Sequence, residues 1–291
     1  MVVIETLIVD GKQKPLYMDT ELNYQLNNYV IPSVKKKDFD YVICVDGEEG
    51  VGKSVFGIQI AKVLDNNFSI KNICFTPEEF VSKIQTAKKN ECILYDEGFG
   101  GLSSRSSLSQ TNQLIVSNMM QMRQKNLFVI IILPSVFMLD RYCVLHRTKG
   151  LFHVYLDQDG RRGNWVYYNK ERLKILWLLG KKLYDYRAVK YILDGVFHDQ
   201  YMVNEKMYRG KKKAALEIES SLSYEENKYK TQRDKIFYIL YTKKKFKQAE
   251  LAELCKSAEI RIGQSTISKI IQQVEKNQER NIIFSPKNIP K

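Results

Sequence analysis

Continuous apolar runs alternate with helical patterns over the first half of the chain. The apolar runs lie at residues 41–45, 92–95 and 127–133, and a helical pattern at 55–64 follows the first of them. A further strand is predicted at 71–75, where residues 73–75 are apolar. A strand that is apolar at every position has both faces covered, which is typical of parallel sheets between helices. The pattern therefore predicts an α/β fold with a mainly parallel sheet.

A β-hairpin is predicted on each side of this region. The first lies between residues 2 and 18, with a turn near residue 10, and the second lies between residues 152 and 168 around a turn-rich segment. Both pair β-rich segments across residues that favour turns. A helix is predicted from about residue 20 to 30, where Pro32 should end it because proline cannot continue a helix.

The last third of the chain changes character. A basic helical extension is predicted to reach residue 208, and the polar segment that follows predicts a linker. Three short helical patterns at 233–241, 246–258 and 264–276 then predict a small helix-turn-helix or winged-helix module. The predicted domains are 1–37 (hairpin and helix), 38–208 (core with its basic extension), 209–230 (linker) and 231–291 (helix-turn-helix-like module).

The charge is unevenly distributed along the 291 residues. The net charge is +13, but residues 1–160 carry 17 basic and 18 acidic side chains, a balance of −1. Residues 161–204 contribute +5 and residues 205–291 contribute +9. A neutral half joined to a basic half indicates a partner that is a polyanion. The alternative explanation of the excess positive charge is a set of solvated surface lysines.

Cysteine and histidine usage argues against a disulfide framework and a metal-binding cluster. The 5 cysteines contain no C-x-x-C pair, and the 3 histidines have no ligand spacing and are interpreted as structural. Scattered cysteines, four of them in or beside apolar runs, fit a reducing compartment, so we expect a cytoplasmic protein, in the host-cell cytoplasm if it is viral. The longest apolar run spans 127–139 and contains Pro134, so it is too short to cross a bilayer and no membrane segment is predicted.

The strongest chemical signal is a glycine-rich sequence between the first apolar run and its helix. It matches G-x-x-x-x-G-K-[ST] in a strand–loop–helix context. Backbone N–H groups of such a loop, and the helix N-terminus after it, bind phosphate oxygens, while the lysine adds a point charge and the serine binds Mg²⁺. ATP and Mg²⁺ are therefore the expected cofactors. A plain glycine turn is the alternative. The predicted nucleotide-binding residues are Gly47, Glu48, Glu49, Gly50, Val51, Gly52, Lys53, Ser54 and Val55, and the two glutamates should point outward.

A second signal ends the apolar run at 92–95. Asp96 and Glu97 follow it, as in a Walker B strand. Asp96 is expected to hold Mg²⁺ together with Ser54, and Glu97 to orient and deprotonate the attacking water. An acidic strand end at the surface is the alternative. The adjacent glutamate indicates the hydrolysing branch of P-loop proteins, in which an extra strand separates the P-loop strand from the Walker B strand.

Three further residues are candidates for the catalytic site. Ser135 follows the apolar run at 127–133 and could sense the γ-phosphate, or could simply cap the next helix. Arg141 and Arg147 are candidates for an arginine that completes the site of a neighbouring subunit, or are solvated or locally paired.

The Gly/Ser-rich segment at 98–107 is either a loop that responds to nucleotide or a plain surface connection.

These motifs resemble those of P-loop ATPases in the FtsK/HerA-like and zonular-occludens-toxin-like groups, which occur in viruses, plasmids and other mobile elements. The resemblance covers about residues 38–156 and includes the segment 122–126 that leads into 129–134. This sequence has Pro134-Ser135 where FtsK/HerA-type proteins usually place a glutamine. The resemblance implies a RecA-like core, ATP hydrolysis, DNA as the polymer and a homo-oligomer such as a ring.

The C-terminal module offers side chains that suit DNA. A lysine run lies between its first two helices, and the third helix begins with polar residues that can reach base edges and phosphates. A helical bundle for protein contacts is the alternative. The predicted DNA-binding residues are Lys243, Lys244, Lys245, Gln264, Ser265, Thr266, Ser268, Lys269 and Gln272.

The sequence therefore predicts an ATP-hydrolysing P-loop protein that acts on DNA, in translocation, packaging, transfer or replication of a mobile element or viral genome. The first alternative is an ATP-dependent DNA-binding switch, such as a replication initiator or regulator of the AAA+ type. A small-molecule kinase is a third alternative, against which the Asp96–Glu97 pair and the basic C-terminal part argue.

Overall fold

The chain forms two compact units, Met1–Leu216 and Glu217–Lys291. The computed structural model describes residues 2–9, 12–96, 118, 121–139, 141–258 and 262–283. Within these residues, no helix is both long enough and apolar enough to cross a membrane.

The first unit is built on a seven-stranded sheet with the order β4-β5-β6-β3-β7-β8-β9. Strands β4, β5, β6, β3 and β7 pair in parallel, while β8 is antiparallel to both of its neighbours. A separate hairpin is formed by β1 and β2. The predicted α/β class with a mainly parallel sheet is confirmed. The strands are β1 (Val2–Val9), β2 (Lys12–Met18), β3 (Tyr41–Asp46), β4 (Ile73–Cys74), β5 (Cys92–Asp96), β6 (Phe128–Ile132), β7 (Thr148–Tyr155), β8 (Asn164–Asn169) and β9 (Leu193–Val196).

Helices cover both faces of this sheet. The α-helices with both ends described are α1 (Thr20–Gln25), α2 (Ile31–Lys35), α3 (Lys53–Leu64), α4 (Pro77–Thr86), α5 (Lys170–Gly180), α6 (Glu205–Lys243), α7 (Gln248–Ser257) and α8 (Gln264–Ile283). Residues 118 and 121–124 are also helical. Alternate residues of the central strands enter two separate cores. Ile43 and Ile130 lie in the core under α3, whereas Val42 and Val129 lie in the core on the opposite face. This explains why the strands are continuously apolar in sequence.

Both predicted hairpins are present, but the helix near the N-terminus does not end at Pro32. It continues through a π-helical turn, Leu26–Val30, into α2, which ends at Lys35. The N–H of Ile31 bonds to the carbonyl of Leu26 in this turn. The π-helical turn contains one residue more than an α-helical turn, and α2 begins directly after it, at Ile31. Pro32 therefore lies in the first turn of α2, where no backbone N–H is required.

The region before residue 208 contains a strand that the helical prediction missed. Strand β9 has four residues and pairs with β8. It is short, contains Gly195 and alternates between exposed and half-buried positions. An edge strand of this length gives too few periodic positions to be separated from a loop by sequence pattern alone.

The segment 209–230, predicted as a linker, is helical and lies within α6. It is rich in Glu and Lys and contains no proline, so its polar composition does not oppose a helix. The division between the two units falls inside this segment, after Leu216.

The second unit has its own small core. Phe237 of α6, Leu251 and Cys255 of α7 pack with residues of α8, namely Ile267, Ile270 and Ile271. Leu254 of α7 is 52% exposed, so Cys255 rather than Leu254 joins Leu251 in this core.

Candidate functional site

The glycine-rich loop at 47–52 connects the end of β3 to the start of α3. Gly47 has φ +142° and Gly52 has φ +100°, conformations that favour glycine. A Cβ at Gly47 would overlap the carbonyl oxygen of Val154, and one at Gly52 would lie 3.0 Å from the ring of Phe197. Backbone conformation and neighbouring atoms therefore both require glycine at these two positions.

Lys53 begins α3 and folds back over the loop. Its Nζ donates to the carbonyl oxygen of Gly47 at 2.7 Å and to that of Glu48 at 2.5 Å. Burial lowers the pKa of Lys53, and the carboxylates of Asp46 and Asp96 act in the opposite direction. Within the described part of the chain, no carboxylate forms an ion pair with this ammonium group. A half-buried cation at a helix N-terminus is suited to bind an anion.

The two predicted metal ligands are brought together. Ser54 and Asp96 both line the same cavity. The hydroxyl of Tyr208 donates to the Asp96 carboxylate. A hydroxyl and a carboxylate are hard oxygen ligands of the kind that Mg²⁺ prefers, so the donor set fits this ion.

Tyr208 is held deep inside the first unit. It is 2% exposed and packs against the rings of Phe75 and Tyr201. Burial, followed by the Asp96 carboxylate, raises the pKa of Tyr208 well above its usual range. The phenol is therefore neutral and acts as the donor to Asp96.

A cavity of about 390 Å³ opens between the loop and the start of α6. The residues that line it are Glu49, Gly50, Gly52, Lys53, Ser54, Val55, Asp96, Ile132, Leu133, Pro134, Arg162, Asp199, Tyr201, Arg209, Lys212 and Leu216. Glu48 and Glu49 are both exposed, as expected, although Glu49 also lines the cavity.

The strand order places the two motifs at one edge of the sheet. Strand β6 lies between β3, which leads into the loop, and β5, which ends at Asp96. In the parallel register, Ile132 pairs with both Val45 and Asp96. All three strands therefore end at the same level, beside the cavity. An intervening strand is the arrangement that the Asp96–Glu97 pair indicated.

Glu97 lies outside the described residues, and so does the Gly/Ser-rich segment at 98–107. The roles predicted for both from the sequence stay predictions.

A buried network lies behind the loop, and the sequence analysis did not identify it. Asp46, 0% exposed, accepts from the backbone N–H of Val136 at 2.7 Å and from the hydroxyl of Tyr186 at 2.5 Å. Its other oxygen lies 2.9 Å from Nδ1 of His153. Ser135 shares a hydrogen bond of 2.8 Å with Tyr186. The network joins the last residue of β3 to three segments that are distant in sequence.

Ser135 is outside the set of cavity-lining residues. Its hydroxyl accepts from the N–H of Phe137 at 3.4 Å and caps a short 3₁₀ helix, Val136–Met138. This geometry matches the capping alternative. A role for Ser135 in sensing phosphate stays a prediction.

The two candidate arginines differ in their surroundings. Arg147 pairs with Asp40, and its side chain is 17% exposed. It precedes β7, as Asp40 precedes β3, so the pair lies at the opposite edge of the sheet from the loop. Arg141 is exposed and does not line the cavity. Of the two, only Arg141 has the accessibility that a residue acting on another subunit needs.

Three cationic residues that line the cavity were missed from the sequence, namely Arg162, Arg209 and Lys212. Arg162 lies in the turn of the second hairpin, and the other two lie near the start of α6. The only signal for them was the basic charge of this region, because each is more than 50 residues from the motif that it faces.

The predicted DNA-binding residues lie in the second unit. Lys243, Lys244 and Lys245 are all exposed, at and just after the end of α6. Most of the predicted residues of α8 are also exposed, and Ser268 is half-buried. The exposed ones are Gln264, Ser265, Thr266, Lys269 and Gln272.

No protein-family model matches the sequence, and no curated protein matches it. Among solved structures, the N-terminal domain of zonular occludens toxin from Neisseria meningitidis is similar to part of this chain. The identity is 12%, the alignment covers 45% of this chain and 84% of that chain, and the TM-score is 0.31. A TM-score this low supports no inference about function.

Proposed function

We propose that this chain is a Mg²⁺-dependent ATPase of the P-loop class with a RecA-like core. The observation that carries the proposal is the convergence of Lys53, Ser54 and Asp96 on one cavity. The cavity lies at the carboxyl edge of a sheet in which β6 separates β3 from β5. This edge of an open α/β sheet is where ligands bind.

Three residues of the cavity, Lys53, Ser54 and Asp96, and two further residues have tasks in the proposed phosphoryl transfer. The N–H groups at the start of α3 and the Lys53 ammonium bind phosphate oxygens. Ser54 and Asp96 would hold Mg²⁺, which when bound neutralises charge on the phosphates. Glu97, the residue after Asp96, is the proposed base that orients and deprotonates water. Arg141 is the proposed arginine that each copy contributes to the nucleotide site of a neighbouring copy, in a homo-oligomer such as a ring.

Replacing Lys53 by alanine tests the nucleotide site. We expect the dissociation constant of a fluorescent ATP analogue with Mg²⁺ to rise roughly 10- to 100-fold, since a charge-assisted hydrogen bond contributes about 1.5–3 kcal/mol. Lys62→Ala is the matched control, because Lys62 is on the same helix and also donates to backbone carbonyls, those of Asn66 and Phe68. Equal binding by the parent and Lys53→Ala would refute the site.

We further propose that the ATPase acts on DNA through the second unit. The support is charge and exposure: residues 217–291 carry 15 basic and 10 acidic side chains, a balance of +5, and the exposed lysine run and the exposed polar face of α8 lie in this part of the chain. Lysine side chains bind backbone phosphates, and glutamine, serine and threonine can reach base edges. A helix-turn-helix interpretation of α7 and α8 belongs to the same proposal.

Neutralising the lysine run at 243–245 in the full chain tests the proposed binding of DNA by the second unit. We expect a variant with Lys243→Gln, Lys244→Gln and Lys245→Gln to bind duplex DNA more weakly. Its log–log salt slope should flatten by about 0.9 for each DNA phosphate that the variant no longer neutralises. The matched control is Lys35→Gln, Lys36→Gln and Lys37→Gln, a run of three exposed lysines in the first unit. An equal weakening of DNA binding in both variants would indicate non-specific charge attraction.

The ATPase rate with and without DNA separates a motor from a switch. Sustained hydrolysis that DNA stimulates supports translocation or packaging. Slow turnover with binding at a defined DNA site supports the AAA+-type switch. In either case, the native mass of the ATP-bound protein tests the proposed oligomer.

A further inference from the structure

Lys212 holds a position beside the candidate metal ligands that no motif assigns. Its ammonium lies 3.3 Å from Oδ2 of Asp96 and 3.4 Å from the hydroxyl of Tyr208. Lys212 and Lys53 line the same cavity. Arg162 and Arg209 line the cavity as well, but of these three cations Lys212 is the one that pairs with the Asp96 carboxylate.

The position of Lys212 is built into the fold. Tyr208 lies one helical turn before it on α6 and is anchored between Phe75 and Tyr201. Residues four apart lie on the same face of a helix, so the buried tyrosine directs Lys212 toward Asp96. The Lys212 side chain is 31% exposed, and its Asp96 partner is 2% exposed. It is therefore more constrained than a solvated surface lysine.

A divalent cation held by Ser54 and Asp96 would compete with the Lys212 ammonium for the Asp96 carboxylate. Lys212 lines the same cavity as Lys53, the first residue of α3. Its ammonium, on a flexible stem, would then be available to bind the terminal phosphate of a nucleoside triphosphate in that cavity.

We propose that Lys212 is a phosphate-binding residue, supplied by the same chain, that distinguishes a nucleoside triphosphate from a diphosphate. This inference rests on the proposed ATPase function. It adds a residue of α6 to the site, and it provides a positive charge at the terminal phosphate without a second copy of the chain.

Binding of fluorescent ATP and ADP analogues with Mg²⁺ tests the inference. We expect Lys212→Ala to lose most of the preference for the triphosphate, with the ratio of the two dissociation constants changing roughly 10-fold or more. Lys212→Arg keeps the charge and should restore much of the preference. Lys206→Ala is the matched control, since Lys206 is an exposed lysine on the same helix outside the cavity.

Manganese binding without nucleotide provides a second readout, followed by electron paramagnetic resonance. Because Lys212 competes for Asp96, Lys212→Ala should bind Mn²⁺ more tightly than the parent while binding the triphosphate more weakly. Opposite changes for the two ligands would not follow from general damage to the fold. An unchanged nucleotide preference in Lys212→Ala overturns the inference, as does weaker Mn²⁺ binding.

The two proposals fail in different ways. If the parent protein does not bind the ATP analogue, or binds it independently of Lys53, the ATPase proposal fails. If the parent binds in a Lys53-dependent manner and Lys212→Ala retains its full preference for the triphosphate, only the role of Lys212 is wrong.

Discussion

Glu97→Gln is expected to reduce ATP turnover by about 10²–10⁴-fold while leaving ATP affinity close to that of the parent. Glutamine keeps the shape of the side chain but cannot accept the proton of the attacking water. The residue directly follows Asp96, which ends β5 at the edge of the cavity. Single-turnover phosphate release and binding of a fluorescent ATP analogue, measured on the same preparation, separate the two effects.

Glu78→Gln serves as the control for loss of a carboxylate. Glu78 is exposed in the first turn of α4, and we expect its replacement to leave turnover unchanged. Full turnover in Glu97→Gln would assign the base to another residue. Loss of ATP binding in that variant would make Glu97 a structural residue.

Asp46→Ala is expected to lower the free energy of unfolding of the first unit by about 3–5 kcal/mol. The substitution removes the acceptor for the N–H of Val136 and for the hydroxyl of Tyr186, and leaves a hole beside His153. A buried donor that lacks an acceptor destabilises the folded state by the full free energy of its lost hydration. Tryptophan fluorescence during urea unfolding measures this effect, because both tryptophans are buried in the first unit.

Asp46→Asn should cost much less, about 1–2 kcal/mol. Its amide oxygen can still accept from Val136 and Tyr186, and its NH₂ group can donate to Nδ1 of His153 in the tautomer that accepts there. Asp159→Ala, at an exposed loop position, should stay within about 0.5 kcal/mol of the parent. A loss of stability in Asp46→Asn as large as that in Asp46→Ala would mean that the charge of Asp46, and not its hydrogen bonds, stabilises the unit.

The strands and the glycine-rich loop could be predicted because their signals are local. The core strands β3, β5 and β6 are continuous apolar runs, and a loop that must adopt positive φ at Gly47 and Gly52 leaves its glycines in the sequence. The extra strand between β3 and β5 was indicated by one adjacent glutamate. Prediction from the local sequence failed where the conformation of the preceding backbone decides the outcome. At Pro32, a preceding π-helical turn allows the helix to continue.

The sequence by itself determined the α/β class, the glycine loop with Lys53 and Ser54, and the apolar strand that ends at Asp96. These features depend on neighbours within a few residues, whose spacing sets the backbone geometry. Only the tertiary structure decided which distant side chains complete the cavity. Tyr208 and Lys212 meet Asp96 across more than 110 positions, and Tyr186 meets Asp46 across 140. Such pairings arise because sheet order and helix packing bring segments together, and no periodicity along the chain encodes them.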